Sequence, residues 1–323
     1  MRSIAIWLAL VVPACTTFQR EDIVIDLRVL AMTAEPPDQV VDVDLQNPPA
    51  PLALLDQLVP TTVCALVADP TFDRKLRYSL TLCVLDSDFR CAAGPQVALV
   101  DGVLDDPDTT APEPQLCATI APDGNLAGVV LSALDGDVLH GLGGVDYGVQ
   151  LRVGGEHDDP ALDLYAGKTL RVSPRIPAAR TANSNPSVVR FELDGVPETS
   201  LTRFRCADFG ILPIELAPTQ RLTITPLETD DARETYVVPT IDGRQETFTE
   251  SLTYQWFAAA GSFSAATTGG PRDLLGNPPP LHSDYRAPAA DQIDGVTDVR
   301  IWIVQRDERL GARWFESCVR VRP

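Results

Sequence analysis

Along most of this chain apolar and polar residues alternate in short runs closed by glycine, proline or aspartate, the period of two that half-buried strands require. The pattern predicts strands over Ile23 to Met32, Thr61 to Ala68, Leu76 to Leu85, Gln96 to Val100, Gln115 to Ile120, Val145 to Val153 and Lys168 to Ser173. A second series covers Val188 to Leu193, Gln220 to Pro226, Glu234 to Ile241, Thr247 to Phe257, Val296 to Gln305 and Arg313 to Arg322. The longer period of an amphipathic helix is nearly absent, Asn125 to Leu134 being the one short contender. The expected fold class is therefore all-β: two Ig-like antiparallel β-sandwiches in which each strand buries one face.

Between the two series, Pro174 to Pro186 carries three prolines and the polar run Thr181 to Asn185, the composition of an interdomain linker. The expected organisation is a signal peptide over 1–14, a tether over 15–22, one sandwich over 23–183 and another over 184–323. Strand parity refines this. Leu252, Tyr254 and Trp256 share a face, which makes Trp256 a core residue. Leu76, Tyr78, Leu80 and Leu82 point inward and leave Cys83 outward; Cys117 and Cys318 fall opposite their apolar neighbours in the same way. Ala258 to Gly295 is long for a connection, so it either holds two further edge strands or is an exposed functional loop. On the second reading Arg272, Asp273, His282 and Tyr285 are the candidate ligand-binding residues, offering charge and an aromatic platform.

The start of the chain differs from everything after it. A lone Arg2, the apolar run Ile4 to Val12 and small residues before Cys15 form an export signal, and the run is far short of the ~20 apolar residues of a membrane span. Setting Cys15 aside, six of the seven cysteines remain: Cys64, Cys83, Cys91, Cys117, Cys206 and Cys318. An even number in an exported chain predicts three disulfides. Cys206 and Cys318 are the only two after the linker and form one expected pair; Cys83 with Cys91 is the favoured second, among three pairings open to the first four.

The formal net charge of −19 disfavours nucleic acid and anionic surfaces, because phosphate binding needs clustered cations. No cofactor is expected. Calcium is the one alternative, at Asp105-Asp106 with Asp108, Glu156 to Asp159, or Glu228 to Asp231, none with EF-hand spacing. Gly261-Ser262-Phe263-Ser264-Ala265 fails the nucleophile-elbow pattern at its last position, and zincin, Walker and Rossmann motifs are absent. With three histidines to supply general bases, no enzymatic activity is expected.

Val12-Pro13-Ala14-Cys15 resembles the lipobox of Gram-negative lipoproteins, with Pro13 where a small or hydroxylated residue is usual. Ile25 to Ala31 followed by Ala34-Glu35-Pro36-Pro37 resembles the start of the mature region in bacterial surface lipoproteins. Tyr254-Gln255-Trp256, Gly261-Ser262-Phe263, Asp284 to Pro288, Val299 to Val304 and Arg306-Asp307 are similar to bacterial Ig-like and PKD-type surface domains, with Tyr285 where tryptophan is usual. The resemblance implies acyl chains on Cys15 and, with Thr16 instead of aspartate after it, residence at the outer membrane. It implies a non-catalytic spacer or recognition module of the cell envelope, with an envelope protein or polysaccharide as partner. The alternatives are an adhesin that binds carbohydrate or protein, and a hydrolase without a recognisable motif. If Cys15 carries the anchor, Cys15→Ser should move the protein from the membrane to the soluble fraction on cell fractionation; continued membrane association contradicts lipidation.

Overall fold

The computed structural model describes residues 20–44, 46–47, 50–70, 74–104, 116–188, 190–194, 196–201, 206, 212–240 and 244–323. The predicted signal peptide and Cys15 lie outside them, as do Asp105, Asp106 and Asp108. In the first half the strands are β1 Arg28–Glu35, β2 Asp38–Val41, β3 Thr61–Ala68, β4 Leu76–Cys83, β5 Val97–Leu104, β6 Leu116–Ile120, β7 Val145–Gly155 and β8 Leu164–Pro174. A single α-helix among the described residues, α1 (Gly124–Gly136), connects β6 to β7. It starts where Asp123 accepts hydrogen bonds from the Asn125 and Leu126 amides at 2.9 and 3.2 Å, an aspartate N-cap.

In the second half the strands are β9 Phe191–Leu193, β10 Val196–Leu201, β11 Ile214–Leu216, β12 Arg221–Pro226, β13 Thr235–Pro239, β14 Gln245–Thr249 and β15 Thr253–Ala258. The short β16 Ser262–Phe263, β17 Thr267–Gly269 and β18 Ser283–Arg286 follow, then the long β19 Thr297–Arg306 and β20 Ala312–Val321. The stretch from Ala258 to Gly295 thus holds the edge strands β16 and β17 and the interior strand β18, with 270–282 outside any strand.

Both halves repeat one strand order. The first pairs β1-β3-β6 against β2-β8-β7-β4-β5; the second pairs β10-β9-β12-β18-β16 against β11-β20-β19-β15-β17. Immunoglobulin-type sandwiches place their A, B and E strands in one sheet and G, F and C in the other. Here β1, β3, β6 and β8, β7, β4 take those places, and then β9, β12, β18 and β20, β19, β15. In each half a short strand also pairs parallel to the last one, β2 to β8 and β11 to β20.

Each half has its own apolar core, Leu76, Leu80, Val149 and Leu151 being central to the first and Trp256, Tyr254, Phe191 and Phe315 to the second. A third cluster belongs to both: Val24, Leu30, Ala31, Leu66 and Ala68 pack against Phe257, Trp302, Val304 and Trp314. Trp256, Ile301, Ile303 and Phe315 face the second core, so the sheet formed by β15, β19 and β20 is buried on both faces. This corrects the expectation that each strand buries one face. The uninterrupted run Ile301-Trp302-Ile303-Val304 is the sequence form that two-sided burial takes.

The proline-rich segment between the series does not hang free. Asn183 is buried, its amide donating to the Asp38 carboxylate and its Nδ2 to Asp307 Oδ2 and Arg309 O, each at 3.0 Å. Asn185 bridges the halves, donating to Ala34 O at 2.7 Å and accepting from the Ala312 amide at 2.9 Å. Lys168 donates to Leu310 O across the same seam, and burial pushes its ammonium down to about 8.

The N-terminal approach also departs from expectation. Asp22, assigned above to a tether, is buried, and its carboxylate accepts from the Phe263 amide at 2.6 Å. Val24 N donates to Ala258 O and Ala258 N to Asp22 O, both at 2.9 Å, so the chain enters along the second sandwich before building the first.

Cys64–Cys117 joins directly opposed positions of β3 and β6, Cys83–Cys91 closes a short loop, and Cys206–Cys318 ties the last strand to a segment 112 residues earlier. Cys83 is wholly buried despite its outward parity, because the loop it closes folds over the outer face of the sheet. Leu85 lies over Gly148, where a Cβ would sit 2.3 Å from Leu85 Cδ1, so only glycine admits the loop there.

Two outcomes follow. Trp302→Ala should cost about 3–5 kcal/mol and split thermal unfolding into two transitions; one unshifted transition would contradict the seam. Burial raises the Glu250 carboxyl to about 7, neighbouring Asp307 adds to this, and Arg309 at 3.4 Å opposes it. A carboxyl raised in the folded state favours folding below its unfolded value, and that contribution is lost as pH rises from 4.5 through about 7. Glu250→Gln should therefore flatten the fall in stability across that window, by roughly 1–3 kcal/mol in urea titrations.

Candidate functional site

The sequence of α1 carries more apolar residues than one buried face needs. Leu126 and Val129 pack into the first core, while Ala127, Val130, Leu131 and Leu134, spaced as one helical stripe, face a cavity of about 320 Å³. The opposite walls are Val41, Val43, Val145 and Val172, with Leu54 and Leu55 from a 3-10 turn over Pro51–Gln57. The volume lies at the small end of the range for ligand pockets, and the lining is almost wholly aliphatic.

Among the described residues the polar side chains of the lining are His140 and Ser173. The wholly buried Ser173 turns its Oγ to Arg180, accepting from Nη2 at 2.9 Å; Arg180, itself outside the lining, also donates from Nη2 to Gly143 O at 3.5 Å. The half-buried Arg180 guanidinium is held below its ordinary pKa chiefly by burial, the Asp38 charge opposing and Arg171 and Arg309 adding to the depression. Arg171 and Arg175 pair with Asp146 and Asp42 at 2.5 and 2.7 Å, whereas no carboxylate lies within ion-pair distance of Arg180 among the described residues. Beside the opening, the turn after α1 exposes large apolar groups, Val138 at 88%, Leu139 at 58% and Leu142 at 54%. Asp137 Oδ2 braces this turn by accepting from the Gly141 amide at 2.6 Å.

Register fixes where the cavity sits. β1 begins with Arg28 beside Ala68 and ends with Glu35 beside Thr62; β2 continues from there to Val41 beside Pro174. The cavity lies at that Val41–Pro174 end, and β8 spans roughly 33 Å at ~3.3 Å per residue to its other end at Leu164. The entering segment Asp22–Val24 lies near the start of β1, so the cavity is at the far end of the first sandwich.

The four candidate ligand residues are not brought together. Tyr285 is wholly buried in the second core, its hydroxyl donating to Ala260 O at 3.0 Å, because it sits beside its cross-strand partner Phe263 of β16 on the core face of their shared sheet. Arg272 and Asp273 close an exposed turn on themselves, Arg272 donating to Gly276 O and Asp273 accepting from the Leu275 and Asn277 amides, all at 2.8 Å. His282 is exposed just before β18. In the acidic clusters Asp158 meets Arg74 at 3.1 Å and Glu228 meets Arg233 at 2.7 Å; among the described residues no three metal-ligating side chains converge. His140 and Ser173 line the cavity, but among the described residues no carboxylate does. Sequence reasoning missed the cavity itself; the surplus of apolar positions on α1 and the exposed Val138-Leu139 pair were its only signals.

No protein-family model matches this chain, and no curated protein matches it in sequence. Among solved structures, murine CEACAM1b is similar at 7% identity and a TM-score of 0.21, over 92% of this chain and all of that one. Human CDH23 EC21-23 gives 12% and 0.18 over 88% of this chain and 72% of that one. A Bacteroides ovatus mixed-linkage glucan utilisation protein, SGBP-B, gives 10% and 0.17 over 92% of this chain and 47% of that one. Scores this low carry no argument about function, and the sandwich assignment rests on the strand order above.

A real void accepts added volume. Val130→Trp should leave the melting temperature unchanged or raise it, whereas Val149→Trp, at a fully buried core position, should lose about 1–3 kcal/mol or more; equal losses at both sites would contradict the cavity.

Proposed function

We propose that this protein is a non-catalytic binding module of the cell envelope, anchored at the outer membrane through Cys15 and presenting the aliphatic cavity of its first sandwich to a small apolar ligand. The observation that carries this reading is the cavity: an open, largely aliphatic space with an exposed apolar turn beside it. A histidine and a serine on its wall without a carboxylate beside them favour binding over hydrolysis.

Anchoring also gives the module a direction. Five residue-to-residue steps lead from Cys15 to Arg20 and reach about 18 Å at ~3.6 Å each. Arg20 donates to Phe263 O at 2.6 Å, so this end of the second sandwich lies nearest the bilayer and the cavity opens away from it. Disulfides on both sandwiches suit an oxidising compartment.

A second reading, an adhesin that meets carbohydrate or protein, is favoured by the hairpin of β13 and β14. Its Tyr236 and Phe248 rings stack at 5.7 Å on an exposed ribbon, with Arg309 over Tyr236 at 4.6 Å.

The test is titration of the purified mature chain with the neutral, environment-sensitive dye N-phenyl-1-naphthylamine. Saturable one-site enhancement that Val130→Trp abolishes, with the fold intact by circular dichroism, supports the binding reading. Absence of saturable enhancement, or enhancement that survives the substitution, overturns it.

A further inference from the structure

The hairpin of β13 and β14 stands apart from the sandwich sheets, paired only within itself, with every residue of β14 exposed. An isolated two-stranded ribbon is marginal in water, and this one is held at its base by the turn between β19 and β20. Glu308 of that turn accepts from the Tyr236 and Ser251 hydroxyls at 2.7 Å each, and Arg309 meets Glu234 and Glu250, both at 3.4 Å. Register sets Tyr236 opposite Phe248 and Val238 opposite Glu246, so these four side chains share one face of the ribbon. That face already holds one guanidinium. Arg309 lies over the Tyr236 ring at 4.6 Å, whereas the Phe248 ring, stacked on Tyr236 at 5.7 Å, is 42% exposed and has no cation over it among the described residues. Glu246, two residues along β14 and thus about 6.6 Å away, is exposed and has no ion-pair partner among the described residues.

An open ring face beside an unpaired carboxylate fits a planar cation, whose flat side stacks on the ring while its N–H groups reach the oxygens. A second copy of this chain would bring another net charge of −19 to the contact, and a neutral sugar would leave Glu246 without a counter-charge. Resting on the second reading above, in which the hairpin meets a partner, we propose that this face of the ribbon docks an arginine-bearing segment of a basic protein. Its guanidinium lies on Phe248 and pairs with Glu246, and its alkyl stem covers Val238. The negative field of the chain draws such a partner in. Arginine is selected over lysine because its planar head is the more weakly hydrated and gives up less water on stacking.

The experiment is fluorescence anisotropy of rhodamine-labelled octa-arginine and octa-lysine, titrated at physiological ionic strength with the purified mature chain and with Phe248→Leu and Glu246→Gln. The two peptides carry equal charge, so a difference between them isolates stacking from bulk attraction. Octa-arginine should bind about fivefold tighter than octa-lysine. Phe248→Leu should abolish that preference, and Glu246→Gln should weaken both peptides about two- to threefold. Both side chains are exposed, so unfolding transitions should be unchanged in either variant. Equal affinity for the two peptides, or an arginine preference that survives Phe248→Leu, overturns the assignment. Calorimetric binding of maltoheptaose that Phe248→Leu removes, without peptide binding, overturns it as well and leaves the hairpin reading standing as a carbohydrate contact. Binding of none of the three probes removes the hairpin reading together with the assignment, and dye binding in the cavity is untouched by any of these outcomes.

Discussion

Two-sided burial of the sheet formed by β15, β19 and β20 is the constraint on which the rest of this molecule depends. One face supplies Trp256, Ile303 and Phe315 to the second core; the other supplies Phe257, Trp302, Val304 and Trp314 to the seam with the first sandwich. Aromatic groups of this size dominate the interfaces they enter, since each removes a large apolar area from water. The polar groups around the seam are then locked in place. Asn183, Asn185, Asp38 and Lys168 find partners there, and Lys168 is pushed toward its neutral form by the burial that results. A rigid seam is also what gives the cavity a fixed direction relative to the entering chain.

Much of the fold was legible in the sequence because a period of two depends only on local pattern. Thr61–Ala68 was read to the residue, and the core role of Trp256 followed from strand parity alone. The pairing Cys206–Cys318 was legible because these are the only two cysteines after the linker, and Cys83–Cys91 because the two flank a short polar loop. What escaped was long-range. Strand parity put Cys83 outside, yet the loop it closes folds back and buries it. A proline-rich linker composition concealed Asn183, whose burial depends on Asp38 and Asp307, remote from it in sequence. Asp22 looked like tether because its partner, the Phe263 amide, is 241 residues away.

The site was less legible than the fold. Tyr285 offered itself as an aromatic platform, but an isolated tyrosine in an alternating run is a core residue before it is a ligand contact. The cavity draws its walls from β2, a 3-10 turn, α1 and β8, elements that no short window of sequence holds together. Only α1 carried a trace of it, in apolar residues spread too widely round the helix for a single packed face.

The most direct test of the central claim is methyl NMR on the Val- and Leu-labelled chain during titration with N-phenyl-1-naphthylamine. The account predicts saturable shifts at Val41, Val130, Leu131, Leu134 and Val172, with the seam methyls of Val304 and Leu66 unmoved. Shifts centred on the seam, or none at the cavity methyls, would contradict it.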